Sequence, residues 1–282
     1  MTESVERRIP LATVPNLRTL GGLPVAGGSV ADGLIFRSAT LGAVSEPDGE
    51  ALVGLGIRRV VDFRTDGERR SAPDKLPPGV TGVHLDVLGD HARDLSASLA
   101  HLGMPGAEGR EVSAEQLAAI KQQMAEMLGD GKGVKILQDS NRLIVSSPSA
   151  IAAFREFYEA LTAPEVYVPT LFHCTTGKDR TGWAAASFLL LVGADEETAV
   201  ADYLQTNVDI LPMIEPMLER AERNGVDSSL IKPVLTVHES MLQAALDEVR
   251  ERFGSIEGYF TMGLGLSDAQ LETLHDRFVT AG

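Results

Sequence analysis

The residues best equipped for chemistry are consecutive: His173-Cys174-Thr175-Thr176-Gly177-Lys178-Asp179-Arg180-Thr181-Gly182. They follow an apolar run ending at Phe172 and precede Trp183 to Val192, a stretch apolar nearly all round. That order reads as strand, loop, buried helix. A loop at a helix N-terminus presents several unpaired backbone N–H groups in one direction, and the helix dipole adds partial positive charge. Such a concavity holds tetrahedral oxyanions. Gly177 supplies a tight turn, and Arg180, six residues after the cysteine, can fold back to clamp two phosphate oxygens. A cysteine on the floor of an anion hole is biased toward its thiolate, the nucleophile of a phosphoryl transfer through a cysteinyl-phosphate. The Thr181 hydroxyl is positioned to hydrogen-bond the sulfur and ease its departure. A lone cysteine is more often an inert packing residue. The Cys-x5-Arg spacing, Gly177, Thr181 and the setting together point to chemistry. Thr175, Thr176, Gly177, Lys178, Asp179 and Thr181 are the expected substrate-binding residues, with Lys178 adding charge at the pocket mouth.

Four stretches read as the strands that position this loop: Gly33 to Arg37, Ile57 to Phe63, Gly82 to Val87, and Val166 to His173, the last containing Pro169. Helical patterns lie between and after them. Pro47 to Leu55 follows a start signal, and Ser149 to Leu161 has Ile151, Phe154, Phe157, Tyr158 and Leu161 at helical spacing. Glu196 to Asn207 and His238 to Phe253 are amphipathic, and Gly193 ends the buried helix before them. Strands alternating with helices imply an α/β fold with a partly parallel sheet flanked by helices. Residues 94–142 differ. Two glycine-rich breaks, Gly103 to Gly109 and Gly129 to Gly133, enclose a helix that Ser113 can cap and that runs through Leu128. This stretch is expected to be an inserted helical lid on a single domain spanning 1–282.

Of the 282 residues, 44% are hydrophobic and 23% charged, as in globular proteins. Forty acidic residues against twenty-five basic ones leave −15, which argues against a nucleic-acid coat or a membrane anchor needing a basic face. No run approaches the roughly 18 apolar residues of a membrane span. No secretory signal is visible near the start, so the expected compartment is the cytoplasm, with signal-less export allowed. A single cysteine excludes an intramolecular disulfide, and the six histidines show no metal-ligand spacing, so neither metal nor cofactor is expected. Gly21 to Gly28 lacks the context of a dinucleotide loop and reads as a turn.

The loop resembles the signature of the cysteine-dependent protein tyrosine phosphatase superfamily, and His-Cys-x-x-Gly-Lys-Asp-Arg-Thr-Gly is similar to its bacterial branch typified by the mycobacterial protein tyrosine phosphatase B. Asn16-Leu-Arg18, Leu34 to Ala39, Gly56 to Arg64, Ala201 to Asn207 and Phe253 to Tyr259 agree in order, so the resemblance spans nearly the whole chain. It implies an α/β sheet flanked by helices with a helical lid. It also implies a phosphomonoester hydrolase acting on phosphotyrosine, and on phosphoserine, phosphothreonine or phosphoinositides, with Cys174 and Arg180 catalytic. His173 then tunes the thiolate through loop hydrogen bonds. No Trp-Pro-Asp supplies the general acid. Asp90 aligns best with the family's aspartate and ranks first, ahead of Asp179 and Asp86. Arg37 and Asp62-Phe63-Arg64 are expected to form a structural brace behind the sheet. The alternative is a noncatalytic phosphate-binding module, against which the intact Cys174, Arg180 and Thr181 argue. A sulfurtransferase would not need Arg180, and an arsenate reductase would want further cysteines.

Overall fold

The computed structural model describes residues 7–91, 114–164 and 169–282. Its main sheet runs in the order β1 (Arg18–Thr19), β4 (Ile35–Ser38), β7 (Thr170–His173), β5 (Arg59–Asp62), β6 (Thr81–His84), with β1 antiparallel and the other four parallel. A second, antiparallel sheet joins β2 (Pro24–Val25), β3 (Gly28–Val30) and β8 (Val279–Ala281). All four expected strands form, each somewhat shorter than its hydrophobic run, and the part of the fourth before Pro169 falls at residues 165–168, outside the described residues.

Strand alternation decides which face each side chain meets. Phe36, Val60 and Leu171 join one apolar cluster with Leu41, Leu52 and Ile57 under helix α1 (Glu46–Gly54). Their neighbours Ile35, Val61 and Phe172 point to the opposite face and the larger cluster. There Phe63, Phe154, Phe157 and Phe172 interlock, with Phe63 5.2 Å from Phe157 and 5.4 Å from Phe154. Covered on both faces, β7 is buried along its whole length. The register aligns Ser38, His173, Asp62 and His84 at the C-terminal ends of the four parallel strands. Ligands of open α/β sheets bind there.

The helices follow local signals. Ser45 caps α1, and Ser147 caps α5 (Pro148–Thr162) by accepting from the amide of Ala150. Thr65 and Glu68 form a reciprocal capping box on the short α2 (Asp66–Ser71). The buried helix α6 (Asp179–Leu191) has no side-chain cap at its start and ends before Gly193 at φ +96°. Helix α7 (Glu196–Arg223) continues well past Asn207 through Pro212 and Pro216. Each proline removes one amide donor, but the carbonyl partners it frees belong to the exposed residues Val208 and Pro212. Helices α8 (Ser228–Leu235), α9 (Glu239–Phe253) and α10 (Asp268–Phe278) complete the layer.

The segment expected as a lid divides differently. Ser113 and the Gly103 to Gly109 break lie outside the described residues, while α3 (Ala114–Leu128) ends where the periodicity does. Arg142 is not a boundary. Helix α4 (Lys132–Ser146) runs through it, burying Leu137, Asn141, Ile144 and Val145 against α5, α6 and α9. Its polar Asn141 looks inward because the side chain serves α6.

Candidate active site

Every carbonyl from Cys174 to Lys178 has a partner outside the loop's hollow. Cys174 O accepts from His173 Nδ1 at 3.0 Å and Thr175 O from the Thr40 amide at 3.1 Å. Asn16 Nδ2 donates to Thr176 O and Gly177 O at 3.0 Å each, Arg37 Nη2 donates to Gly177 O at 2.8 Å, and Lys178 O accepts from the Gly182 amide. A trans peptide sends its N–H opposite to its C=O. The amides of residues 175–179 therefore face the concave side, above the uncapped end of α6. Gly177 is obligatory: its φ is +68°, and a Cβ there would lie 2.4 Å from Ser38 O and 2.6 Å from Asn16 Nδ2. Cys174, buried at 2% exposure, sits at the strand end.

Arg180 is buried and meets a partner that sequence reading missed. Its Nη1 and Nη2 bond Glu68 Oε2 and Oε1 at 2.7 and 2.9 Å, a fork-to-fork pair. Glu68 also accepts from the Thr175 hydroxyl and, at 2.8 Å, from the Thr65 amide. Burial pushes its carboxyl up, but the hydrogen bonds and charge of Arg180, with Thr175 and Thr65, outweigh burial and hold it at about 2. The Thr65-x-x-Glu68 spacing was visible as a capping box; its reach to Arg180 was not. The Thr181 hydroxyl is buried with no hydrogen-bond partner among the described residues, so it is available to a sulfur or oxyanion.

Under the loop lies a buried ionic brace. Asp202 of α7 meets Arg37 Nη1 at 2.6 Å, Arg18 Nε at 3.0 Å and Arg7 Nη1 at 3.2 Å, while Arg18 also bonds Asn16. Burial pushes Asp202 up, but the charges of Arg18, Arg37 and Arg7 bring it far below the ordinary carboxylate range. Burial and the neighbouring Arg18 lower Arg37 to about 10, against the pull of Asp202. Asn16 adopts φ +59°, which aims its amide at the loop carbonyls. Arg37 is thus part of a brace, one that reaches the loop at Gly177.

Two loop residues turn inward. Lys178 is 1% exposed, and its Nζ donates to Val234 O at 2.7 Å and lies 3.6 Å from Asp179, not at an open pocket mouth. Asp179 also accepts from Asn141 at 3.4 Å. Thr176 is part-exposed beside them. Of the other acid candidates, exposed Asp90 accepts at 2.7 Å from the Ser149 amide in the first turn of α5, and Asp86 accepts from the amides of Leu88 and Asp66.

At the foot of β7, His173 meets Asp74 Oδ2 through Nε2 at 3.0 Å and has Asp62 Oδ1 4.0 Å from Nδ1. These three residues bring potential ligand atoms within 4.8 Å of one another. Arg64 already fills the cation's role, with Nη2 2.8 Å from both Asp62 Oδ2 and Asp74 Oδ1. Burial pushes Asp62 up, but bonds and charge from Arg64 and the charge of His173 leave it lowered.

The sequence profile of the tyrosine phosphatase family matches residues 9–280. A Cupriavidus necator protein provisionally named a tyrosine-protein phosphatase is 32% identical over 272 residues, covering 95% of this chain and 89% of its own. The triple specificity protein phosphatase PtpB of Mycobacterium tuberculosis is 29% identical over 267 residues, covering 86% and 89%. A Nostoc commune tyrosine-protein phosphatase is 26% identical, covering 87% and 74%. The crystal structure of Pseudomonas aeruginosa TpbA with phosphotyrosine overlaps 79% of this chain at 16% identity, with a TM-score of 0.27 too low to bear on the site. By the profile's span and the relatives' coverage, this chain belongs to the tyrosine phosphatase family and is a hydrolase of phosphoric monoesters.

Proposed function

We propose that the Cys174 thiolate attacks the phosphorus of a phosphotyrosine bound in the loop, forming an S–P bond as the P–O bond to tyrosine breaks. The amides of residues 175–179 receive the equatorial oxygens, and Arg180, held by Glu68, bears on the same charge. Asp90 gives the leaving phenolate its proton. Its carboxylate is exposed and takes one backbone amide, that of Ser149, on Oδ2, whereas Lys178 and Asn141 engage Asp179 and two backbone amides engage Asp86. Water then attacks the cysteinyl-phosphate, and the Thr181 hydroxyl stabilises the departing thiolate. The observation that carries this reading is the outward bonding of all five loop carbonyls around a buried cysteine.

Phosphoserine, phosphothreonine and phosphoinositides belong to the proposed substrate range. The support is a loop that binds the phosphoryl group mainly through backbone amides, which do not read the alcohol, together with the name of the mycobacterial relative. Inward-turned Lys178 gives a multiply phosphorylated head group no exposed ammonium at this position. Phosphate release from a phosphotyrosine peptide, a phosphothreonine peptide and a short-chain phosphoinositide, with Cys174→Ser as control, tests the reading. Release that vanishes in the variant supports it. Release that survives overturns the nucleophile.

A further inference from the structure

We propose that Asp74 is a positioning residue that keeps His173 as an imidazolium at the foot of the catalytic loop, and thereby sets the pH at which Cys174 becomes a thiolate. This deepens the phosphatase reading and rests on Cys174 being its nucleophile. The argument is a count of protons. His173 Nδ1 faces Cys174 O, which only accepts, so Nδ1 carries a hydrogen. His173 Nε2 faces Asp74 Oδ2 at 3.0 Å, so one proton lies between them. Asp74 Oδ1 already accepts from the Leu41 amide at 3.2 Å and lies 2.8 Å from Arg64 Nη2, both of which favour the ionised carboxylate. The proton therefore rests on nitrogen, and the ring is doubly protonated.

The surrounding charges are consistent with this. Asp62 and Arg64, at the end of β5, pair with each other, and Asp62 leaves an oxygen 4.0 Å from Nδ1. His84, on β6, bonds Arg64 O. From β4, Arg37 is taken up by Asp202, and Arg180 by Glu68. Asp74 is thus the only described carboxylate that hydrogen-bonds the ring, 99 residues away in sequence. His173 is fully buried, so the resulting charge acts through little water, and it is bonded to the nucleophile's own backbone. Positive charge beside a cysteine favours the thiolate.

Because Cys174 is the sole cysteine, its reaction with iodoacetamide reads the thiolate directly, without any assay of phosphatase activity. In Asp74→Asn, whose amide keeps the shape and loses the charge, the pH midpoint of alkylation is expected to rise by about one pH unit. Alkylation below the midpoint slows about tenfold, the size of effect one nearby charge exerts at an effective dielectric of about 20–40. Asp74→Glu restores the midpoint. A merely structural Asp74 would lower unfolding stability and leave the midpoint where it was, and that result overturns the proposal. In the unaltered protein, nitrogen-15 resonances of His173 are expected to show both ring nitrogens protonated at neutral pH; a neutral ring overturns it also. Should Asp74→Asn not fold, His173→Asn is titrated in the same way, with an unchanged midpoint again refuting the idea. Phosphatase activity persisting in Cys174→Ser would instead remove the nucleophile reading and leave the histidine's charge state as measured.

Discussion

Changing Glu68 to glutamine keeps the side chain's shape and its oxygen acceptor but removes the charge facing Arg180. Arg180 and Glu68 have side-chain exposures of 3% and 12%, so the pair is only weakly screened. A carboxyl held at about 2 instead of its ordinary 4.5 favours the folded, ionised state by about 3 kcal/mol. Stranding one member of a buried pair independently costs about 3–5 kcal/mol. The glutamine still accepts from Arg180 or Thr175, so the net expectation for Glu68→Gln is a loss of about 2–3 kcal/mol at neutral pH. That is a substantial part of a typical folding free energy of about 5–15 kcal/mol. The pH dependence has a defined sign. The carboxyl is depressed in the folded state, so its stabilisation is complete above 4.5 and disappears as pH falls toward 2. Urea unfolding of both proteins from neutral pH down to about pH 3 measures the difference. The gap should be widest near neutrality and shrink below about pH 4.5. A gap under about 0.5 kcal/mol, or one that ignores pH, would refute the claim that Glu68 holds Arg180 by charge.

Gly177→Ala should cost more than about 2 kcal/mol and most of the activity, since the new Cβ would lie 2.4 Å from Ser38 O at a φ of +68°; urea unfolding and phosphate release check it. Asp202→Asn strips the counter-charge from two fully buried arginines and should destabilise by about 3–5 kcal/mol in the same unfolding assay. Asp90→Asn should slow phosphate release about tenfold to a hundredfold and abolish the basic limb of the pH–rate profile; an unchanged limb would reassign the proton to another group.

The local part of this architecture was legible. The runs Ile57 to Phe63 and Val166 to His173 are apolar enough to be central strands, and Ser45 announces its helix by capping, while the helix expected from Ser149 starts one residue earlier, behind the cap Ser147. The loop's hollow was legible too, because strand, glycine and helix start are contiguous. Features built by pairing across the chain were hidden. β1, β2, β3 and β8 have two or three residues each, too few to carry a period. Pro212 reads locally as a helix end, and only the exposure of the freed carbonyl's residue lets α7 continue. Glu68 lies 112 residues from Arg180, Asp74 lies 99 from His173, and Asp202 lies 184 from Arg18. An acidic residue has no local mark that names its distant cation. Lys178 shows the reverse failure: its type and position suggested an exposed charge, and a helix-end carbonyl at Val234 claimed it.

The brace under the loop also bears on how the chain is born. Arg18 leaves the ribosome 184 residues ahead of Asp202, an interval of about 10–40 s at about 5–20 residues per second. For most of that time Asn16 has no loop carbonyl to hold, and throughout it two arginines destined for complete burial have no carboxylate on α7. The first strands cannot close over them without stranding charge in an apolar interior. Arg18 and Arg37 must therefore stay in water, without Asp202, until α7 has been made. Closure of the sheet and assembly of the loop after β7 then become one event, completed late, so a chain interrupted before Asp202 should carry neither.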